Sequence, residues 1–277
     1  MKRILASFAL ALAIGGGIAL SPVANAELAP VASVSTLAAA APAKRLPVSL
    51  RFMPLGDSIT RGQGDGGTTG TYLGYRCSLD NRLLAAGIDA DMVGPLSEGR
   101  NGCLDTQHAG WSGWTIAELT GSVTDWVVTY APQVVLLMAG TNDIIEQNAM
   151  TGMASRLGVL IDTIRAARPG VLVIVSNIPQ IGSSAYCCNA AQTSAWNAYR
   201  DAIPALAAAH GAYSAFNDRV SKDDLVADGI HPKPCAHSSE IPFDWYFTIS
   251  QVLERADGTT YDPLWPPIGC PVPAAKK

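Results

Sequence analysis

Ser58, Asp228 and His231 are the side chains with which this chain could build a serine nucleophile. Ser58 lies in "MPLGDSITRG" (53–62), where the apolar run "LPVSLRF" feeds straight into Gly-Asp-Ser. A serine hydroxyl attacks poorly until a base takes its proton. Histidine does this near neutral pH once a carboxylate fixes its tautomer. Of the four histidines, His231 follows Asp228 by three residues in "DGIHP", a spacing at which a tight turn can bring the carboxylate onto Nδ1. Taken alone, "DGIHP" reads as an ordinary turn with a surface histidine. Ser58 is what gives it chemical weight.

Acyl transfer also needs donors for the charge that develops on the carbonyl oxygen, each worth about 3–4 kcal/mol. The backbone N–H of Ser58, the backbone N–H of Gly110 and the side-chain amide of Asn142 have that chemistry. Gly110 would let a substrate approach the main chain closely. Asn142, in "GTND", stands just past the apolar run 133–140, although "GTND" reads equally as an Asx-turn or a helix N-cap. Asp57 and Asp143 read as residues that hold turns. Trp111, beside Gly110, is placed to line a binding site, while Trp114 reads as core; Tyr72 and Tyr75 could extend an aromatic wall for a sugar ring. This chemistry requires no cofactor and no metal. His231, Cys235 and His237 lack the closely spaced Cys/His pairs of a zinc site.

Two other motifs compete. "GQGDGG" (62–67) matches a dinucleotide-binding glycine pattern, but no helix of the expected kind starts within it. "GWSGW" surrounds Ser112 like a nucleophile elbow, yet Trp114 stands where the second glycine belongs and no strand is legible before it. Ser58 is therefore preferred.

The segments between these residues alternate in period. Strands are expected at 48–56, 90–94, 133–140, 171–179 and 212–218, and helices at 72–87, 114–130, 153–170, 190–211 and 243–256. Gly87 closes the first helix and Pro204 should kink the fourth. Such alternation means right-handed crossovers and a parallel sheet covered on both faces. Ligands in such folds bind at the carboxyl ends of the strands, where all the residues above fall. The glycines of 62–70 suggest an open, adaptable rim.

Lys2 and Arg3 precede an apolar run, and Ala24-Asn25-Ala26 supplies a cleavage site, so 1–26 reads as a signal peptide of a secreted protein with no membrane span in its mature form. Residues 27–47 read as an Ala/Pro-rich leader, and 48–277 as the folded domain with a Pro-rich tail tied down by Cys270. The formal charge is −4; losing two of the 19 basic residues leaves 17 against 23 acidic, or −6, which argues against nucleic acid as a partner. Six cysteines in an exported chain suggest disulfides. Cys77 with Cys103 is the best guess by proximity, and the neighbours Cys187 and Cys188 are expected to take different partners.

"GDSIT", the glycine of "AGWSGWT", "GTNDI" and "DGIHP" together resemble the four blocks of the SGNH (GDSL-type) hydrolase superfamily. The resemblance implies a three-layer α/β/α flavodoxin-like fold with a central parallel sheet. It makes Ser58 the nucleophile and first oxyanion donor, Gly110 and Asn142 the other donors, and His231 the base oriented by Asp228. "MPLGDSIT", "GYR", "DMVGPLSEG" and "HAGWSGWTI" are similar to acetyl xylan esterases of carbohydrate esterase family 3. Those enzymes usually carry a Glu-Gly-His-Ser-Gly-Trp type of segment, where this chain has Ala109 and Trp111; the stretch "KPCAHSSEIPFDWYF" (233–247) also departs from the family's run into a final helix. The expectation is a monomeric serine esterase that removes short acyl groups, chiefly acetyl, from an acetylated polysaccharide or a small alcohol. A GDSL-type lipase or general carboxylesterase is the alternative. A non-catalytic secreted carbohydrate-binding protein is the alternative from another class.

Overall fold

The computed structural model describes residues 49–100, 103–146, 149–182 and 187–258. The expected signal peptide, the leader and the tail with Cys270 lie outside them. Among the described residues, seven strands form the sheet: β1 (Leu50–Gly56), β2 (Ala90–Met92), β3 (Leu96–Ser97), β4 (Gln107–Gly110), β5 (Val134–Met138), β6 (Leu172–Ser176) and β7 (Tyr213–Ala215). Its order is β3-β4-β1-β5-β6-β7, with β2 also paired to β1. Every pairing is parallel except β3 with β4. β5, which reads as a continuous apolar run, is buried along its whole length.

One edge of β1 is shared. Its first half pairs with β2, from Leu50 opposite Ala90 to Phe52 opposite Met92, and its end pairs with β4, where Gly56 faces Gly110. The carbonyls of Phe52 and Gly56 accept from Val93 and Trp111 on that edge, so Pro54, between them, also faces it at the changeover from β2 to β4. A proline without an N–H is tolerated there inside a central strand.

The helices are α1 (Ser58–Arg61), α2 (Arg76–Ala85), α3 (Ile116–Tyr130), α4 (Thr141–Ile145), α5 (Met153–Ala167), α6 (Ala190–Ala209) and α7 (Ile241–Asp257). The chain steps from β1 through α2 to β2 on one side, then returns through α3 to β5 on the other side of β1. With right-handed crossovers that reversal puts α2 on one face and α3, α5 and α6 on the opposite face. The packing agrees: α3 contacts α5, α5 contacts α6, and α2 contacts α7. The reversal between β1 and β5 is the topological switch point, where doubly wound sheets bind ligands.

The expected helices and strands are present with shifted ends; α2 stops at Ala85, with Gly87 at φ 81° just beyond, and α6 carries Pro204 inside it. α1, β3, β4 and α4 are additions, each too short to show a period. A five-residue π-helical turn, Ala236–Glu240, leads directly into α7. A disulfide joins Cys77 and Cys103, as guessed. Cys187 and Cys188 correct the expectation of different partners: they are bonded to each other, their α-carbons 3.1 Å apart across a cis peptide bond. Cys235 is also disulfide-bonded.

Candidate active site

Strand β1 must end against β5 to deliver Ser58, and Gly56 allows it. A β-carbon at Gly56 would lie 2.1 Å from the Met138 carbonyl oxygen, so no side chain fits. Asp57 then caps α1, its Oδ1 accepting from the Ile59 amide at 2.9 Å. It is fully buried, and burial pushes its carboxyl above the ordinary range. Asp57 therefore holds the turn, and Ser58 opens α1 with its backbone N–H bonded to no other described residue.

His231 meets Ser58 across the sheet edge. Its Nε2 lies 2.8 Å from Ser58 Oγ, and its Nδ1 lies 2.6 Å from Asp228 Oδ2. The other Asp228 oxygen accepts from the backbone amides of Ile230, at 2.8 Å, and His231, at 3.0 Å. Partial burial raises the Asp228 carboxyl, but hydrogen bonds from the His231 ring and then from the His231 and Ile230 amides outweigh it, and the net shift is downward. The carboxylate thus stays ionised and fixes the ring with Nε2 free to accept the serine proton. The "DGIHP" turn is pinned at its ends by the Val226 amide on the His231 carbonyl and the Lys233 amide on the Asp224 carbonyl.

Asn142 stands in the first turn of α4, beyond β5. Its Nδ2 donates to the Trp114 carbonyl at 2.8 Å, which aims the amide and leaves one N–H of that nitrogen unclaimed by a described residue. Neighbouring Asp143 is buried and structural, its oxygens accepting from the Ile116 amide at the start of α3 and from Arg156 of α5. Gly110 closes β4 tightly on α1: a β-carbon there would lie 2.5 Å from the Arg61 amide nitrogen. Its own N–H donates to His108 Nδ1 at 3.0 Å. Burial, then the charges of Arg76 and Arg61, hold the His108 ring well below the usual imidazole range, so it is a neutral acceptor.

The aromatic residues are arranged differently from the expected wall. Trp111 and Trp114 are both half-buried and stack on each other with centroids 4.7 Å apart. Each also stacks on Trp126 of α3, a partner that the sequence reading missed. Tyr75 is fully buried against Trp245, so it belongs to the core; Tyr72 remains partly exposed beside Arg61. Ser112 corrects a second expectation. A strand, β4, does precede it, but its hydroxyl faces Arg61 rather than a histidine.

The glycine-rich segment after α1 is exposed at its tip, over residues 68–71, and anchored at its base. Asp65, buried, accepts from the amides of Gly67, Leu73 and Gly74 and so ties the loop to itself. Glycine is needed for close approach: a β-carbon at Gly64 would sit 2.9 Å from the His231 β-carbon and 2.4 Å from the Pro232 carbonyl oxygen. Behind the loop, His237 donates from Nε2 to the Gln63 carbonyl at 3.0 Å, and burial lowers its pKa to about 4. Arg76, also fully buried, donates to the carbonyls of Thr60, Arg61, Tyr72, Glu98 and Thr106. Arg76 is the arginine of "GYR", but the structural roles of both residues come from what the chain folds around them.

The geometry holds a serine hydroxyl against a histidine ring that is itself held by a carboxylate, at the sheet edge where Gly110 and Asn142 also stand. A model of the GDSL-like Lipase/Acylhydrolase family matches residues 55–237, which include every one of these groups. A multidomain esterase of Ruminococcus flavefaciens is 30% identical over 256 residues, covering 82% of this chain; the chain spans about a third of that relative, 32% of its length. A family 3 carbohydrate esterase of Clostridium thermocellum has a similar structure, with TM-score 0.64 and 28% identity over 76% of this chain and 99% of that one. A carbohydrate esterase family 3 structure from Talaromyces cellulolyticus superposes with TM-score 0.61 at 24% identity, covering 74% and 99% of the two chains.

Proposed function

The chain belongs to the GDSL-like lipase/acylhydrolase family, and on that premise we propose that it is a secreted carboxylic ester hydrolase that removes acetyl groups from a carbohydrate through an acyl-enzyme on Ser58. The observation that carries the mechanism is the continuous relay from Ser58 Oγ to His231 Nε2, at 2.8 Å, and from Nδ1 to Asp228, at 2.6 Å. His231 takes the hydroxyl proton as Oγ bonds to the ester carbon, then returns it to the departing alcohol oxygen. Water repeats the sequence on the acyl-enzyme, with His231 again as base, and releases the acid.

The Ser58 N–H and the unclaimed N–H of Asn142 receive the charge on the carbonyl oxygen. Gly110 joins them by turning its N–H from the His108 ring to the oxyanion, since a charged oxygen is the stronger acceptor. Trp111 flanks the substrate beside Gly110. The acetyl preference is supported by the carbohydrate esterase likeness and by the close approach of Gly64 to His231, which narrows the site on that side.

Rates on nitrophenyl esters from acetyl to long-chain acyl test this reading, with Ser58→Ala as control. The expected profile peaks at acetyl and is absent from the control. A peak at long chains would assign a lipase instead, and full activity in Ser58→Ala would remove the mechanism.

A further inference from the structure

Arg61 lies one helical turn beyond Ser58 in α1, so the two side chains leave the same face with β-carbons about 5–6 Å apart. The triad does not use it, yet it is held firmly. Its Nε donates to Glu98 Oε2 at 2.9 Å and its Nη2 to Glu98 Oε1 at 2.5 Å, a two-point fork. Glu98 is itself 9% exposed and is steadied by the Gly70 amide. Nη1 points to Ser112 Oγ at 3.4 Å, and the guanidinium sits 5.9 Å from the centre of the Tyr72 ring.

A guanidinium has five N–H donors. Glu98 takes two and Ser112 one, so two remain without an acceptor among the described residues. The Ser112 hydroxyl accepts from Arg61, and its own proton has no acceptor among them either. The side chain of Arg61 is 22% exposed, so these donors are open to a ligand. Beside a nucleophilic serine, that is a preorganised set of donors with an aromatic flank.

We propose that Arg61, Ser112 and Tyr72 form the subsite for the alcohol half of the substrate, and that this half is a neutral pyranose carrying adjacent hydroxyls. The proposal rests on the reading of Ser58 as the nucleophile. Glu98 decides the charge of the ligand. A carboxylate or phosphate brought to Arg61 would face the Glu98 carboxylate as well, whereas sugar hydroxyls accept from Nη1 and Nη2 and from Ser112 at no such cost. The Tyr72 ring offers an apolar flank to the carbon face of the sugar.

Binding can be measured without turnover in Ser58→Ala, by calorimetric titration with unacetylated xylotriose. Adding Arg61→Gln should weaken binding about 10-fold or more, and adding Ser112→Ala by a smaller factor. Arg61→Lys should fail to restore it, because a lysine cannot keep the fork on Glu98 and still present two donors. Glucuronic acid should bind no more tightly than xylose. Equal affinity across the series, or no affinity of Ser58→Ala for xylotriose, would overturn the subsite. The same protein separates the two ideas: if Ser58→Ala has lost esterase activity while the series is flat, the subsite fails and the nucleophile stands. Residual full activity in Ser58→Ala would instead remove the nucleophile. Ser112→Ala leaves the Arg61–Glu98 fork untouched, so it decides the matter even if Arg61 variants fold poorly.

Discussion

Ser58 and His231, 173 residues apart, meet at hydrogen-bond distance because each closes a turn with its own backbone restraints. Asp57 caps the one, and Asp228 accepts two amides in the other. Asn142 is the residue whose role separates most cleanly by kinetics. Its amide is aimed by the Trp114 carbonyl and touches no triad member, so Asn142→Ala should lower kcat by about 10²-fold and leave KM nearly unchanged. Steady-state rates on nitrophenyl acetate would show it; an unchanged kcat would take Asn142 out of the oxyanion role. At this scale the sequence was informative where function constrains residue type. Ser58, Gly110, Asn142, Asp228 and His231 were all legible in short motifs. Arg61 and Glu98 also fall in motifs, but their pairing was not legible, because it spans 37 positions and begins in a helix too short to show a period.

The glycine-rich loop shows that composition alone does not say how each glycine of an element is used. Glycines suggested freedom, but Gly62 and Gly64 are there for contact, the first against Gly74 and the second against His231. The loop is held by Asp65 from within and by Arg76 from beneath. Arg76 links the end of α1, the loop and the β3–β4 hairpin through five carbonyls, and burial lowers its pKa only to about 10, so it stays charged at neutral pH. Each buried carbonyl left without a donor costs about 1–3 kcal/mol. Arg76→Leu should therefore lose at least ~3 kcal/mol of unfolding free energy in urea titrations and lose activity in the surviving folded fraction. A loss under ~1 kcal/mol would show that the carbonyls find other donors. β4 escaped the sequence reading for a related reason. "QHAG" has neither alternation nor an apolar run, and its strand character comes from pairing with β1 and β3.

Across the whole molecule, the long elements were readable because burial dictates their pattern. β5 and β6 are apolar on both faces, and α3, α5 and α6 each bury one stripe against them. The disulfides were less so, since pairing is a property of the folded chain: proximity suggested Cys77–Cys103, whereas the Cys187–Cys188 bond contradicted a general preference. Global stability should carry a signature of Asp80 on α2. Burial, then the neighbouring charges of Asp105 and Asp89, raises its pKa to about 6 from 3.8, and it accepts no hydrogen bond from another described residue. Between those two pH values the folded chain binds more protons than the unfolded chain, so stability falls as pH rises through that window and stays lower above it. Asp80→Asn removes the buried charge. Its melting temperature should exceed that of the wild type by at least about 2 °C at pH 8 and match it at pH 4. A difference that does not depend on pH would contradict this assignment.

The central claim is that Ser58 forms the bond to the acyl group, and covalent labelling reads it directly. Diethyl nitrophenyl phosphate transfers its phosphoryl group to an activated serine, forming an O–P bond as nitrophenolate leaves. Peptide mass mapping of the labelled protein should place a single adduct on the peptide containing Ser58, with activity lost in step with labelling and no label on Ser58→Ala. An adduct on Ser112, or labelling that leaves esterase activity intact, would contradict the account.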